Sequence, residues 1–264
     1  MTERIADFVH GSDGACPATR PRCVPRGPHP LTAQTRASRR SCAGLGNTGA
    51  GAPAGSPCGV SAAQFICDAA NAAPGEVTVL ALASMTNVTL ALRLDPGIAA
   101  KLRAVVVLGG AFNVMGNVNP AAEANIWHDP EAADEAFGAF PDGVLRLVGL
   151  DVTQQSIMTG AHLDSLRDGG GRFSAYAWSI CQFYKAYHAR SVGLDGIFLH
   201  DPTALVAVLA PQLFGWTDGA VRVATEGVAR GRTIMDAGTK KCVAVSRGRC
   251  VCAACCLPRA RAGF

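Results

Sequence analysis

The run Ala104-Val-Val-Val-Leu108, stopped abruptly by Gly109-Gly110, constrains the fold more than any other part of the chain. An uninterrupted β-branched and aliphatic run suits a strand buried on both faces, because a half-exposed strand would alternate instead. Such a strand belongs to a mainly parallel sheet with helices on either side. The loop after it carries Asn113, Asn117, Asn119, Glu123 and Asn125, and no Lys or Arg. In open α/β sheets, ligands sit beyond the carboxyl ends of the strands. Amides and one carboxylate offer both donors and acceptors to a neutral, polyhydroxylated ligand. A phosphate would recruit Arg, Lys or bare backbone amides. The chemistry of this loop points to a sugar.

Strand-like and helix-like stretches alternate around it. Ser61–Ala70 reads as a helix and Val77–Ala83 as a strand. Thr86–Leu94 has apolar positions at helical spacing and closes at the turn Asp95-Pro96-Gly97. Asp129-Pro130 opens a helix to about Phe140, with Asp129 as its cap. Val144–Val152 reads as the next strand. Arg172–Val192 is the longest helix, with Phe173, Tyr176, Ala177, Ile180, Cys181 and Tyr184 on one stripe read as core. Asp201-Pro202 opens a helix to about Leu209, and Val221–Thr225 reads as a late strand. The alternation predicts an α/β fold: a mainly parallel, Rossmann-like sheet with helices on both faces. No repeat or basic–aromatic pattern suits nucleic acid, and no run reaches the roughly eighteen apolar residues of a membrane span.

The flanks differ in composition from the middle. Residues 14–67 contain six Arg and no acid, and residues 237–264 contain six Lys or Arg and no acid. Removing those twelve charges from the net +4 leaves −8 for the remainder. Ten of the eleven cysteines also lie in these flanks, leaving only Cys181 between them. An acidic, cysteine-poor middle suits a cytoplasmic enzyme. Residues 15–43, rich in Pro, Arg and Cys and without period, read as a disordered insertion. Cys250-x-Cys252-x-x-Cys255-Cys256 lacks the separated ligand pairs of structural zinc and reads as free thiols.

The segment Gly109-Gly-Ala-Phe112, Gly116-Asn117, Pro120, Glu123 and Asn125, followed by Asp129-Pro-Glu-Ala-Ala133, resembles the inosine/uridine-preferring nucleoside hydrolase family, in particular its plant-type members. Further pieces stand in the family's order: Asp7-Phe-Val-His-Gly-Ser-Asp-Gly14, Leu45-Gly-Asn47, Leu82-Ala-Ser-Met-Thr-Asn-Val88, Val148-Gly-Leu-Asp-Val-Thr153 and Leu199-His-Asp-Pro202. The ordered set carries the resemblance. It divides the chain into a family-like remnant over 1–14, the insertion, a nucleoside hydrolase domain over 44–241, and a divergent tail over 242–264.

The resemblance implies hydrolysis of the N-glycosidic bond of uridine- or inosine-type nucleosides. That reaction builds positive charge on the ribose and needs an activated water. In the family, Ca²⁺ lowers the pKa of that water and grips ribose hydroxyls. By resemblance, Asn125 would bind the ribose 3′-hydroxyl, and Glu123 and Asn117 the 5′-hydroxyl, with Leu108 against the sugar. Asp201 and the Thr86 carbonyl would be Ca²⁺ ligands. His200 would lie near the nucleobase and give the leaving group a proton, and His10 would approach the base from its loop. Plainer readings stay open: Asn117 and Asn119 as turn formers, Asp129 and Asp201 as helix caps. His128, His162 and His188 read as surface or packing residues. A homo-oligomer is compatible with this reading.

Family members also carry an Asp-x-Asp-Pro-Gly-x-Asp-Asp motif that supplies the base and most Ca²⁺ carboxylates. It does not occur in these 264 residues. The fold expected is therefore a nucleoside hydrolase fold truncated at its N-terminus. The chain alone is expected to release negligible ribose, and the alternative function is a non-catalytic homologue that binds nucleoside weakly or joins an intact subunit.

Overall fold

A computed structural model of the chain describes residues 4–8, 46, 48, 59–238 and 243–247. The expected insertion over 15–43, His10 and the Cys250–Cys256 tract lie outside these residues. The first half contains β1 (Arg4–Phe8), α1 (Ala62–Ala72), β2 (Val77–Ala81), α2 (Thr86–Leu94), α3 (Ile98–Lys101) and β3 (Ala104–Leu108). Then come α4 (Ala124–His128), α5 (Pro130–Ala139), β4 (Leu145–Val148), α6 (Leu150–Thr153), β5 (Ile157–Thr159), α7 (Gly160–Asp168) and α8 (Arg172–Val192). The chain continues through β6 (Gly196–Phe198), α9 (His200–Leu209), β7 (Gly215–Val223), β8 (Thr233–Asp236) and β9 (Val243–Arg247).

Seven strands form one sheet in the order β1-β2-β3-β4-β9-β7-β8. The pairings from β1 to β9 are parallel, and β7 runs antiparallel to both β9 and β8. β5 and β6 make a separate antiparallel pair. Val105 and Val107 of β3 belong to a core with Val79, Leu145, Ile66 of α1, Val88 of α2 and Phe137 of α5. Val106 and Leu108 face the opposite layer, with Leu80, Val148, Phe214 and Ala204 and Ala207 of α9. Successive residues of β3 thus serve opposite layers, which is why its sequence does not alternate. Each such aliphatic side chain, fully buried, contributes about 1.5–3 kcal/mol.

Local chemistry starts the helices. Ser61 Oγ accepts from the Gln64 N–H at 3.2 Å to cap α1. Asp129 Oδ1 accepts from the Ala132 N–H at 3.2 Å, and Pro130 occupies the first turn of α5. α2, β3 and α8 have the bounds expected from the sequence.

Other expectations are corrected. The single strand expected over Val144–Val152 is β4 followed by α6, because the backbone turns at Gly149. A Cβ at that position would lie 3.0 Å from the Gly110 carbonyl oxygen. The aromatic stripe of α8 is not core: Phe173 is 75% and Tyr176 46% exposed, and no α8 residue joins either sheet core. This helix packs on α7 and β6 instead, so its periodicity marked a helix but not the surface it faces. The late strand runs from Gly215 to Val223 rather than Val221 to Thr225. β9, at Val243–Arg247, lies inside the sheet, beyond the domain end at 241 expected from the sequence. Among the described residues, no helix is long and apolar enough to cross a membrane.

Candidate active site

β2, β3 and β4 run parallel, so their carboxyl ends open onto one edge of the sheet. Two adjacent glycines let the chain leave β3 there. A Cβ at Gly109 would sit 2.9 Å from Ile126 Cδ1, and Gly110 adopts φ +92°, which favours glycine. Asn125 Nδ2 donates to the Leu108 carbonyl at 2.9 Å and to the Leu82 carbonyl at 3.4 Å. This side chain therefore ties α4 to the ends of β3 and β2, and leaves its Oδ1 as the acceptor it can offer a hydroxyl.

Glu123 is 5% exposed and caps α4. Its Oε1 accepts from the Asn125 N–H at 2.9 Å, and its Oε2 from Ile126 at 3.1 Å and Gly110 at 3.2 Å. Burial pushes its carboxyl up to about 7, against the pull of those three donors, and the negative charge of Asp201 adds to the rise. Asn117 Oδ1 accepts from the Ala124 N–H at 2.9 Å, closing the loop onto α4. Asn119 is a turn former, its Oδ1 accepting from Ala121 and Ala122 at 2.8 and 2.9 Å.

His200 and Asp201 open α9, where Leu199 occupies the cap position and makes no side-chain cap bond. Asp201 is exposed within the first turn and acts electrostatically on Glu123. Half-buried His200 pairs its Nδ1 with Thr153 Oγ1 at 2.7 Å. Burial, and then the proximity of His188, push its imidazole down to about 4. It is therefore neutral at physiological pH, and suits hydrogen bonding better than delivery of a proton. His188 is a packing residue, its ring edge-on to Phe198 at 5.0 Å and to Tyr184 at 4.1 Å.

Thr86 begins α2 just beyond β2, and its hydroxyl donates to Asp129 Oδ2 at 2.5 Å. Asp129 is thus the structural cap expected of it, shared between α5 and Thr86. The structure brings Glu123, Asn125, Asp201 and His200 to one end of the sheet. His10 lies outside the described residues. Sequence reasoning missed three supporting residues: Thr153, which holds His200, and Asp151 and Thr233, which hold the loop after β3. Thr153 and Asp151 stand in the Val148–Thr153 segment, whereas no sequence signal marks Thr233.

Ca²⁺ takes roughly six to eight oxygen ligands, several of them carboxylates. Among the described residues, no three His, Cys, Asp or Glu side chains cluster closely enough to hold a metal ion. Those residues by themselves do not fit a calcium ion.

A mainly parallel sheet with helices on both faces, and a buried carboxylate and amides at its carboxyl edge, defines an α/β protein with a polar site at that edge. The chain belongs to the inosine-uridine preferring nucleoside hydrolase family, whose model matches residues 1–253. It is 42% identical over 238 residues to a probable uridine nucleosidase 1 of Oryza sativa subsp. japonica, covering 90% of this chain and 64% of that protein. It is 39% identical to uridine nucleosidase 1 of Arabidopsis thaliana, covering 90% of this chain and 61% of that protein. The chain thus spans less than two thirds of the length of these relatives. A solved plant nucleoside hydrolase superimposes with TM-score 0.76 at 37% identity, covering 79% of this chain and 69% of that one.

Proposed function

We propose that this chain acts on ribonucleosides of the uridine or inosine type, in the hydrolysis of the N-glycosidic bond to base and ribose. The observation that carries this reading is the convergence of Glu123, Asn125, Asp201 and His200 at the carboxyl edge of the sheet. Glu123 and Asn125, with Asn117 holding the loop, bind the ribose hydroxyls. A desolvated carboxylate beside the sugar favours the positive charge that develops there, because it acts in a medium that screens it weakly. His200, with Nδ1 engaged by Thr153, offers Nε2 to the departing base. His10 is proposed on the base side. Asp201 and the Thr86 carbonyl are proposed as two oxygens of a calcium site that the described residues by themselves do not complete. The reading extends to a cytoplasmic protein that takes a nucleoside, not nucleic acid or a membrane, and that can self-associate.

The test combines ribose release from uridine and inosine with calorimetry of an iminoribitol, a ribose mimic. Asn125→Ala or Glu123→Ala should weaken iminoribitol binding by about 1–3 kcal/mol, the cost of an unpaired polar group. Unchanged affinity in both variants would remove them as the ribose clamp. The second reading, a nucleoside-binding homologue without turnover, is favoured by the lack of a carboxylate cluster among the described residues. Iminoribitol binding with negligible ribose release would establish it.

A further inference from the structure

The chain turns sharply after β3, yet every backbone N–H from Gly109 to Asn113 has an acceptor. Gly109 donates to the Val148 carbonyl at 3.1 Å, as a strand would. The next four go to side chains. Gly110 donates to Glu123 Oε2 at 3.2 Å, and Ala111 to Thr233 Oγ1 at 3.0 Å. Phe112 donates to Asp151 Oδ2 at 2.9 Å and Asn113 to Asp151 Oδ1 at 2.7 Å. Both oxygens of one carboxylate thus hold consecutive amides, and bonds to a charged acceptor are the stronger kind. Thr233 is 2% exposed, and its hydroxyl also donates back to the Ala111 carbonyl at 3.0 Å, so one oxygen holds both polar groups of that residue. Gly149 makes room for the arrangement, since a Cβ there would press on the Gly110 oxygen and on Asp151 Oδ2.

We propose that Asp151 and Thr233 are positioning residues that set the ribose-binding carboxylate, acting through the backbone turn at 110–113. The path is short. The two residues pin 111–113, the adjoining Gly110 N–H is bonded to Glu123 Oε2, and the same carboxylate caps Asn125 and Ile126. A turn released from Asp151 or Thr233 therefore carries the Glu123 carboxylate with it. The proposal rests on the ribose reading for its consequence, whereas the mechanical coupling stands on the hydrogen bonds alone.

The test uses the full chain and three variants. Asp151→Asn places an amide donor where two N–H groups need acceptors, Thr233→Val removes the hydroxyl at nearly constant shape, and Thr233→Ser restores it. Two quantities are read: iminoribitol affinity and amide hydrogen exchange. Asp151→Asn and Thr233→Val should each weaken binding about tenfold, the effect of one lost buried hydrogen bond, and Thr233→Ser should bind like the native chain. Exchange should accelerate at Gly110–Asn113 and also at Asn125 and Ile126, while Val105–Val107 stay protected. Acceleration that stops at Asn113, or unchanged affinity in both variants, overturns the proposal. If the native chain does not bind iminoribitol, the ribose reading falls, and exchange at Asn125 and Ile126 alone decides the coupling. A variant that loses protection in Val105–Val107 has unfolded, and the substitution on the other element then decides between the two outcomes.

Discussion

Replacing Glu123 with Gln isolates the ionisation of the buried carboxylate that caps α4. Its three backbone donors favour the charged form, but burial outweighs them and Asp201 adds repulsion, so the carboxyl stands at about 7 instead of 4.5. The folded chain therefore holds this proton more tightly than the unfolded chain does. The resulting stability is fully present below about pH 4.5 and is lost as pH rises through about 7. Between pH 5 and pH 8 that loss amounts to on the order of 2–3 kcal/mol. Gln cannot titrate and keeps one carbonyl acceptor for the helix cap. The stability of the native chain relative to Glu123→Gln should therefore fall by that amount across the interval. Urea unfolding of both proteins at pH 5, 6, 7 and 8 measures it, and titrations shared by the two cancel. A difference constant to within about 0.5 kcal/mol, near the error of the extrapolation, refutes the reasoning.

The His200 imidazole should titrate near 4 by NMR, with its stability contribution present above about 6.5 and lost as pH falls through 4. A midpoint at 6 or above would mean that water reaches the ring and that proton donation is open to it. Asp129 is fully buried and serves both Ala132 and Thr86, so Asp129→Ala should lower unfolding stability by roughly 2–4 kcal/mol. A loss below about 0.5 kcal/mol would show that neither bond matters.

What the sequence determined by itself is what neighbours along the chain decide. Periodicity and capping are local, so α2, β3 and α8 were legible to the residue, and Asp129-Pro130 announced the start of α5. Glu123 and Asn125 were legible for the same reason: they sit two residues apart at the start of one helix, just beyond a recognisable strand end. The tertiary structure decided what depends on distant partners. Thr153 meets His200 across 47 positions, Asp151 meets Phe112 across 39, and Thr233 meets Ala111 across 122. It also decided that the apolar stripe of α8 faces away from the sheet cores, and that Val243–Arg247 enters the sheet beside β4. The two ionisations of the site belong to this second group. A carboxyl near 7 and an imidazole near 4 arise from burial, and burial is set by elements folded over these residues from far along the chain.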